Sequence, residues 1–333
     1  MVRLRVSGQE SNEQFFEFFS PSITDRLSSG DNGNGGYRTA GGGTLELRGR
    51  FFGVSDVRVS VDNRTCENVT VELLDATTNE GRVTCVVPAG QGSRVSVVVS
   101  RGLQSSLPFD LQYLAPVVSG ASVEDGPLRS TSSGPIRLPT RGGAVELVGD
   151  NFGLTPRVVM LARGDSHECQ LVRHSHTAVR VNVPAGDGAG QVLVVFVADP
   201  SSSPVPVSYE LPRVSSLGAQ TGPTAGGQQL EIRGGGFGQS GGVFSSGGPR
   251  VTLLPVVGVS GSGTEGGECQ VVQFSHESIH CLTPAGQGGP LQVLVEVGGQ
   301  SSADQPVARF SYRPPVVTSV TPRTAPTSGG VVV

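Results

Sequence analysis

Lysine and tryptophan are absent from this 333-residue chain, and cysteine is confined to five positions. All 24 basic residues are therefore arginine, set against 28 acids for a formal charge of -4. No run of arginines forms a basic stripe, and counterion release from a nucleic-acid backbone needs several converging cations. That balance argues against DNA or RNA as a partner. No stretch of 18 or more apolar residues exists, so no membrane-spanning helix is expected within these residues. The opening "MVRLRVSGQE" lacks the apolar core of a secretory signal. A sustained apolar pattern at helical spacing is missing as well.

What is present is glycine (49 residues) and proline (23 residues), set between short apolar runs rather than spread as in a disordered chain. "TLELRG", "SRVSVVVS", "AVELVG", "QVLVVFV", "QLEIRG" and "LQVLVEV" are short, rich in Val, Ile and Leu, and closed by turn residues. They carry the period-two signature of strands. The fold class expected is all-β.

Self-comparison reveals repeats. Paired glycines precede a strand at Gly42-Gly43, Gly142-Gly143, Gly226-Gly227 and Gly329-Gly330. After the strand comes a Phe-Gly step, at Phe52-Gly53, Phe152-Gly153 and Phe237-Gly238, and then a "PAG" turn at Pro88, Pro184 and Pro284. Each unit closes on aromatic strands: "FDLQYLAP", "VSYELP", "RFSYRPP". A period of roughly 100 residues is the size of one immunoglobulin-like sandwich. The expected division is 1–20 as closing strands of a preceding repeat, 21–114, 115–211 and 212–314 as three repeats, and 315–333 as the opening of a further one. The chain reads as a piece of a longer protein. The links "LAPVV", "ELPRV" and "RPPVV" contain proline, which favours extended, semi-rigid spacing.

The pattern "PPVVTSVTPRTAPTSGG…GGGFG…C…SHESIHCLTPAG…LQVLVEVGGQSS…FSY" resembles the IPT/TIG domain, most closely over 212–314. The first two repeats depart through loop insertions but keep the glycine pair, the Phe-Gly step and the Pro-Ala-Gly turn. The resemblance implies tandem immunoglobulin-like β-sandwiches. The family occurs in plexins, growth-factor receptors, fibrocystin-like and other surface proteins, Rel-type transcription factors and some starch-acting enzymes. Such a fold does not by itself assign a function.

Cys66 and Cys85 lie 19 apart and Cys269 and Cys281 lie 12 apart, and each second cysteine stands three residues before the "PAG" proline. The matched position in two repeats predicts one disulfide in each, with reduced buried cysteines as the alternative. Cys169 finds Val181 where its partner would be, so a free thiol is expected there. Disulfides would place the chain in an oxidising compartment. The sequons Asn63-Arg64-Thr65 and Asn68-Val69-Thr70 flank Cys66 and agree with that compartment, making Asn63 and Asn68 candidate glycosylation sites.

Four other clusters invite chemistry. Cys269, His276, His280 and Cys281 have the types of a zinc site, but the second repeat keeps only His176 and puts Arg180 and Val181 at the others, so a strand-entry turn is expected. Asp165, His167, Cys169, His174 and His176 could gather round a metal, although solvated loop residues are the plainer reading. Gly236, Gly238 and Gly241 have dinucleotide-loop spacing without a following helix, so a tight turn is expected. Arg163-Gly164-Asp165 is the tripeptide read by integrins. No cofactor, metal or catalytic group is expected.

The sequence thus points to a non-catalytic extracellular or cell-surface array that spaces and presents binding loops to protein or glycan partners or to neighbouring copies. Three alternatives remain: a receptor ectodomain, accessory domains of a polysaccharide-acting enzyme, and an intracellular scaffold.

Overall fold

The computed structural model describes residues 1–324 except 16, 29, 32, 34, 125–128, 131–133, 163, 242–246, 259–260, 262, 304–307 and 322, and for 129–130 the backbone only. Every regular element among the described residues is a strand. The chain forms two compact units, one of Met1–Gly134, Ala144–Asn182 and Val192–Pro206, the other of Pro135–Gly143, Val183–Gln191 and Val207–Val333.

In the first unit an antiparallel sheet runs in the order Ser22–Arg26, Thr44–Arg50, Glu80–Val86, Glu67–Asp75. Facing it, Phe109–Tyr113, Val95–Arg101 and Val57–Val61 form the centre of a second sheet. Alternation explains the sandwich between them: in "TLELRGR" the side chains of Leu45 and Leu47 face inward and Gly49 is buried, while their neighbours stay solvated or half-covered. Leu45, Leu47, Phe52, Val59, Val61, Val97 and Val99 share one core, each at most 2% exposed. The same unit holds the antiparallel pairing of Val117–Val123 with residues 145–150, and of Pro156–Ala162 with residues 192–197, from Pro156↔Val197 to Leu161↔Val192.

In the second unit, Ile136–Leu138 lies parallel to residues 207–209. Beyond them a single nine-stranded sheet folds over on itself, because Gly267–Phe274 pairs with Ser278–Leu282 on one side and Arg250–Pro255 on the other. Its core gathers Leu230, Ile232, Phe237, Val251, Leu253, Ile279, Leu291, Val295 and Phe310, all fully buried. The protein is an all-β, tandem array of immunoglobulin-like sandwiches.

The recurring sequence marks have recurring physical causes. The hydroxyls of Tyr113, Tyr209 and Tyr312 donate to the carbonyls of Pro88, Pro184 and Pro284 at 2.8, 2.8 and 2.7 Å. Each tyrosine ring lies against the glycine of its "PAG" turn, where a Cβ on Gly90, Gly186 or Gly286 would come within 2.3, 2.7 or 2.6 Å of the ring. The first glycine of each T-x-G-G turn is fixed from the other side. Gly41, Gly142 and Gly226 have φ of +76°, +80° and +72°, and a Cβ on any of them would strike the backbone of the same turn. Tyr209→Phe removes one donor at such a corner, and the loss expected is about 1 kcal/mol, read as a lower urea midpoint with an unchanged slope.

Candidate functional site

Two histidines singled out in the sequence sit at matched positions. His276 follows strand Gly267–Phe274, and its Nε2 lies 2.9 Å from Gln239 Oε1. That oxygen only accepts, so Nε2 carries the hydrogen and Nδ1 is bare. Nδ1 then accepts from the Thr140 hydroxyl at 2.8 Å. In the first unit His176 Nδ1 meets the Thr39 hydroxyl at 2.9 Å. Thr39 Oγ1 meanwhile accepts from the Gly153 amide at 3.3 Å, which leaves its own hydrogen for the imidazole. Thr39 and Thr140 are 0% and 3% exposed. Burial, and next the neighbouring His174, push the His176 pKa below its usual value; burial, and next Arg141, do the same at His276.

The "PAG" turns add a second grip. Gln91 Oε1 accepts from the amides of Leu154 and Thr155 at 2.8 and 2.9 Å, just past Phe152-Gly153. In the second unit the matching residue is Asp187, 2% exposed, whose carboxylate faces Gly238 at a distance a Cβ there would make 3.4 Å. A cavity of about 420 Å³ lies beside His276, with Arg141, Glu210, Arg213 and Glu277 among its walls. Neither the threonines nor Gln91 were singled out from sequence. The signal was there in the repeated T-x-G-G spelling of Thr39, Thr140 and Thr224.

The cysteines divide. Cys269 and Cys281 are joined, with Cα atoms 5.6 Å apart. Cys66 and Cys85, expected to be bridged, are two buried thiols in hydrogen-bond contact. Contact with Cys66, and then burial, raise the Cys85 pKa, so the thiolate that would start exchange is disfavoured. Cys169 is a buried free thiol whose pKa burial pushes up to about 11.

The metal-like clusters are otherwise engaged. Cys269 and Cys281 are used in their bridge, both ring nitrogens of His276 have partners, and His280 lies opposite Glu231 within a ladder. His174 Nε2 lies 2.9 Å from the Leu154 carbonyl, while His167 pairs across a hairpin with Met160. Among the described residues no three His, Cys, Asp or Glu side chains group closely enough to hold a metal. Gly236, Gly238 and Gly241 adopt φ between +75° and +79°, and 242–246 lie outside the described residues. Gly164 lies in the turn between Pro156–Ala162 and Asp165–Glu168, and exposed Asp165 opens the second of these strands opposite Ala162; Arg163 lies outside the described residues.

Both sequon asparagines are exposed. Asp62-Asn63, with φ of +49° and +62°, form the two-residue turn between Val61 and Arg64. Asn68, φ +52°, stands in a bulge of Glu67–Asp75. Arg82, Arg94, Arg157, Arg173, Arg233 and Arg250 each pair with a carboxylate, leaving those charges no free patch. No helix among the described residues is long and apolar enough to cross a membrane.

These corners and cores define an immunoglobulin-like array. Residues 37–113 and 264–311 match the family model of the IPT/TIG domain, two matches in one chain that are consistent with IPT/TIG repeats in tandem. Fibrocystin-L from Homo sapiens and from Mus musculus are each 24% identical over 301 residues. The match takes in 87% of this chain and 6% of theirs, so the chain spans a small fraction of those relatives. Among solved structures, the plexin A4 extracellular region is similar at 15% identity and a TM-score of 0.27, over 82% of this chain and 22% of that one. The adhesin InvE of Yersinia pseudotuberculosis is similar at 11% identity and a TM-score of 0.35, over 78% and 72%.

Proposed function

We propose that this chain is a non-catalytic segment of an extracellular or cell-surface protein, in which repeats 21–114, 115–211 and 212–314 act as a semi-rigid spacer that presents loops to protein or glycan partners. Residues 1–20 and 315–333 belong, in this reading, to flanking repeats. The observation that carries it is the buried Cys269–Cys281 bridge, a bond that persists in oxidising compartments and is rare in the cytosol. The exposed sequon turns at Asn63 and Asn68 support the same compartment, as does the kinship with Fibrocystin-L. Cys66 and Cys85 form the second bridge on exposure to an oxidant, since their thiols already touch. Proline-containing links set the spacing between sandwiches.

The test is the intact mass of the protein from its native source, before and after reduction and deglycosylation. Two mass-detected bridges, one free thiol at Cys169 and sugar on Asn63 or Asn68 are expected. Five free cysteines on an unglycosylated chain would overturn the extracellular reading and leave an intracellular scaffold.

A further inference from the structure

We propose that the T-x-G-G and Pro-Ala-Gly turns of one repeat form a socket for the Phe-Gly turn and Ser-His step of the next, and that neutral His176 and His276 are the positioning residues that lock this joint near neutral pH and release it in acid. The arrangement occurs twice, each time inside one compact unit. In the first, Thr39 and Gln91 hold His176 and the amides of residues 153–155. In the second, Thr140 holds His276 while Asp187 faces Gly238. The histidine also ties the plug together from its own side, because the carbonyls of His176 and His276 accept from the amides of Phe152 and Phe237 at 3.0 and 3.3 Å. One residue thus links the two repeats, its carbonyl holding the backbone of the buried phenylalanine in its own repeat and its imidazole meeting the threonine of the preceding one.

A third socket provides the contrast. Thr224 has the same T-x-G-G setting, and its Gly226 packs on its own "PAG" turn as the others do. Yet Thr224 is exposed where Thr39 and Thr140 are buried. The occupant that fits it is another repeat of this kind, bearing a neutral histidine ahead of the strand that leads into its Pro-Ala-Gly turn. Burial of the first two hydroxyls therefore comes from the joint and not from the turn itself.

The acid response follows from the hydrogen-bond roles. Nδ1 is an acceptor in both joints, and a proton there turns it into a donor facing a hydroxyl. The threonine could accept only by turning its own hydrogen elsewhere, and a buried hydroxyl has no water to receive it. Burial lowers both imidazole pKa values, so the joints are tightest above the ordinary histidine pKa, weaken as pH falls below it and are fully loosened once pH is below the depressed value. The charged groups around them are His174 for His176, with Arg38 adjoining Thr39 on the socket turn. For His276 they are Arg141, Glu277, Glu210 and Arg213, with Asp187 on the same joint. Arg141 opposes protonation and Glu277 favours it.

This inference rests on the chain being a tandem array, but not on where the array resides, so the mass test and the present one fail separately. Amide hydrogen exchange of the full chain, corrected for intrinsic rates, is compared at pH 7.5 and 5.0 over peptides covering 152–155 and 237–239. Exchange in both is expected to be roughly fivefold or more faster in acid, the equivalent of one lost neutral hydrogen bond. Thr39→Val should give the fast rate at 152–155 already at pH 7.5, and Thr140→Val at 237–239. Thr224→Val should change neither, and His176→Gln and His276→Gln should flatten the pH response of their own joints. Exchange in the native sequence that ignores pH, or a Thr39→Val profile matching that of Thr224→Val, overturns the proposal. The pH arm needs no variant to fold.

Discussion

Phe237→Ala is expected to destabilise the third repeat by about 3–5 kcal/mol. The ring is fully buried in the cluster of Val214, Leu230, Ile232, Ile279 and Phe310. It also fills the space in front of Gly234, where a Cβ would lie 2.7 Å from the ring and 1.8 Å from the Arg213 carbonyl oxygen. That glycine lets two strands approach, and the phenylalanine seals the gap the missing side chain leaves. Truncation therefore opens a cavity bounded by backbone hydrogen bonds, which relaxes poorly. Phe237→Leu keeps most of the volume and should cost under about 1.5 kcal/mol. The measurement is chemical denaturation with exchange protection of Leu291–Val297 as the local readout, against Val95–Arg101 in the separate core of the first repeat. Loss of protection in the first strand only is the expected pattern. An alanine variant that loses less than about 1 kcal/mol would show that the ring is not a core group.

The repeats were legible because their marks are short-range and chemical. A glycine pair, a Phe-Gly step and a Pro-Ala-Gly turn each answer a local steric demand, and strand alternation at Thr44–Arg50 or Leu291–Val297 follows directly from which side chains are apolar. The Cys269–Cys281 bridge was legible from the same spacing logic, while Cys66 and Cys85 met as thiols without bonding. The joints were not legible. Thr39 and His176 are 137 residues apart, and neither is unusual in its own neighbourhood. A threonine before two glycines reads as ordinary turn chemistry, and a Ser-His step before a strand reads the same way. Only the fold brings one repeat's turn to the next repeat's hairpin. His276 is the instructive case: comparing repeats pointed to a strand-entry turn there, yet gave no hint of Thr140.

Reducing the Cys269–Cys281 bridge is expected to lower the stability of the third repeat by about 3 kcal/mol, because a short crosslink restricts the unfolded chain more than the folded one. The bridge closes a loop of sequence separation 12, and both cysteines are buried at 1% and 0%. It ties Gly267–Phe274 to Ser278–Leu282, strands already joined by a ladder with Val271 opposite Cys281. That position matters because Gly267–Phe274 is the strand that carries the sheet from one layer to the other. Losing the crosslink therefore loosens the corner of the sandwich as well as its edge. The first and second repeats supply internal controls: one holds two thiols at the matched positions, and the other pairs Cys169 with no cysteine at Val181. Denaturant titration with and without a reductant should shift the unfolding of the third repeat alone, with Cys269→Ala plus Cys281→Ala reproducing the reduced midpoint. If prior oxidation has closed Cys66–Cys85, the first repeat should shift on reduction too, by a similar amount for its longer loop. A midpoint for the third repeat that is indifferent to reductant, in a protein whose mass shows the bond has opened, would mean that the ladder alone holds this corner.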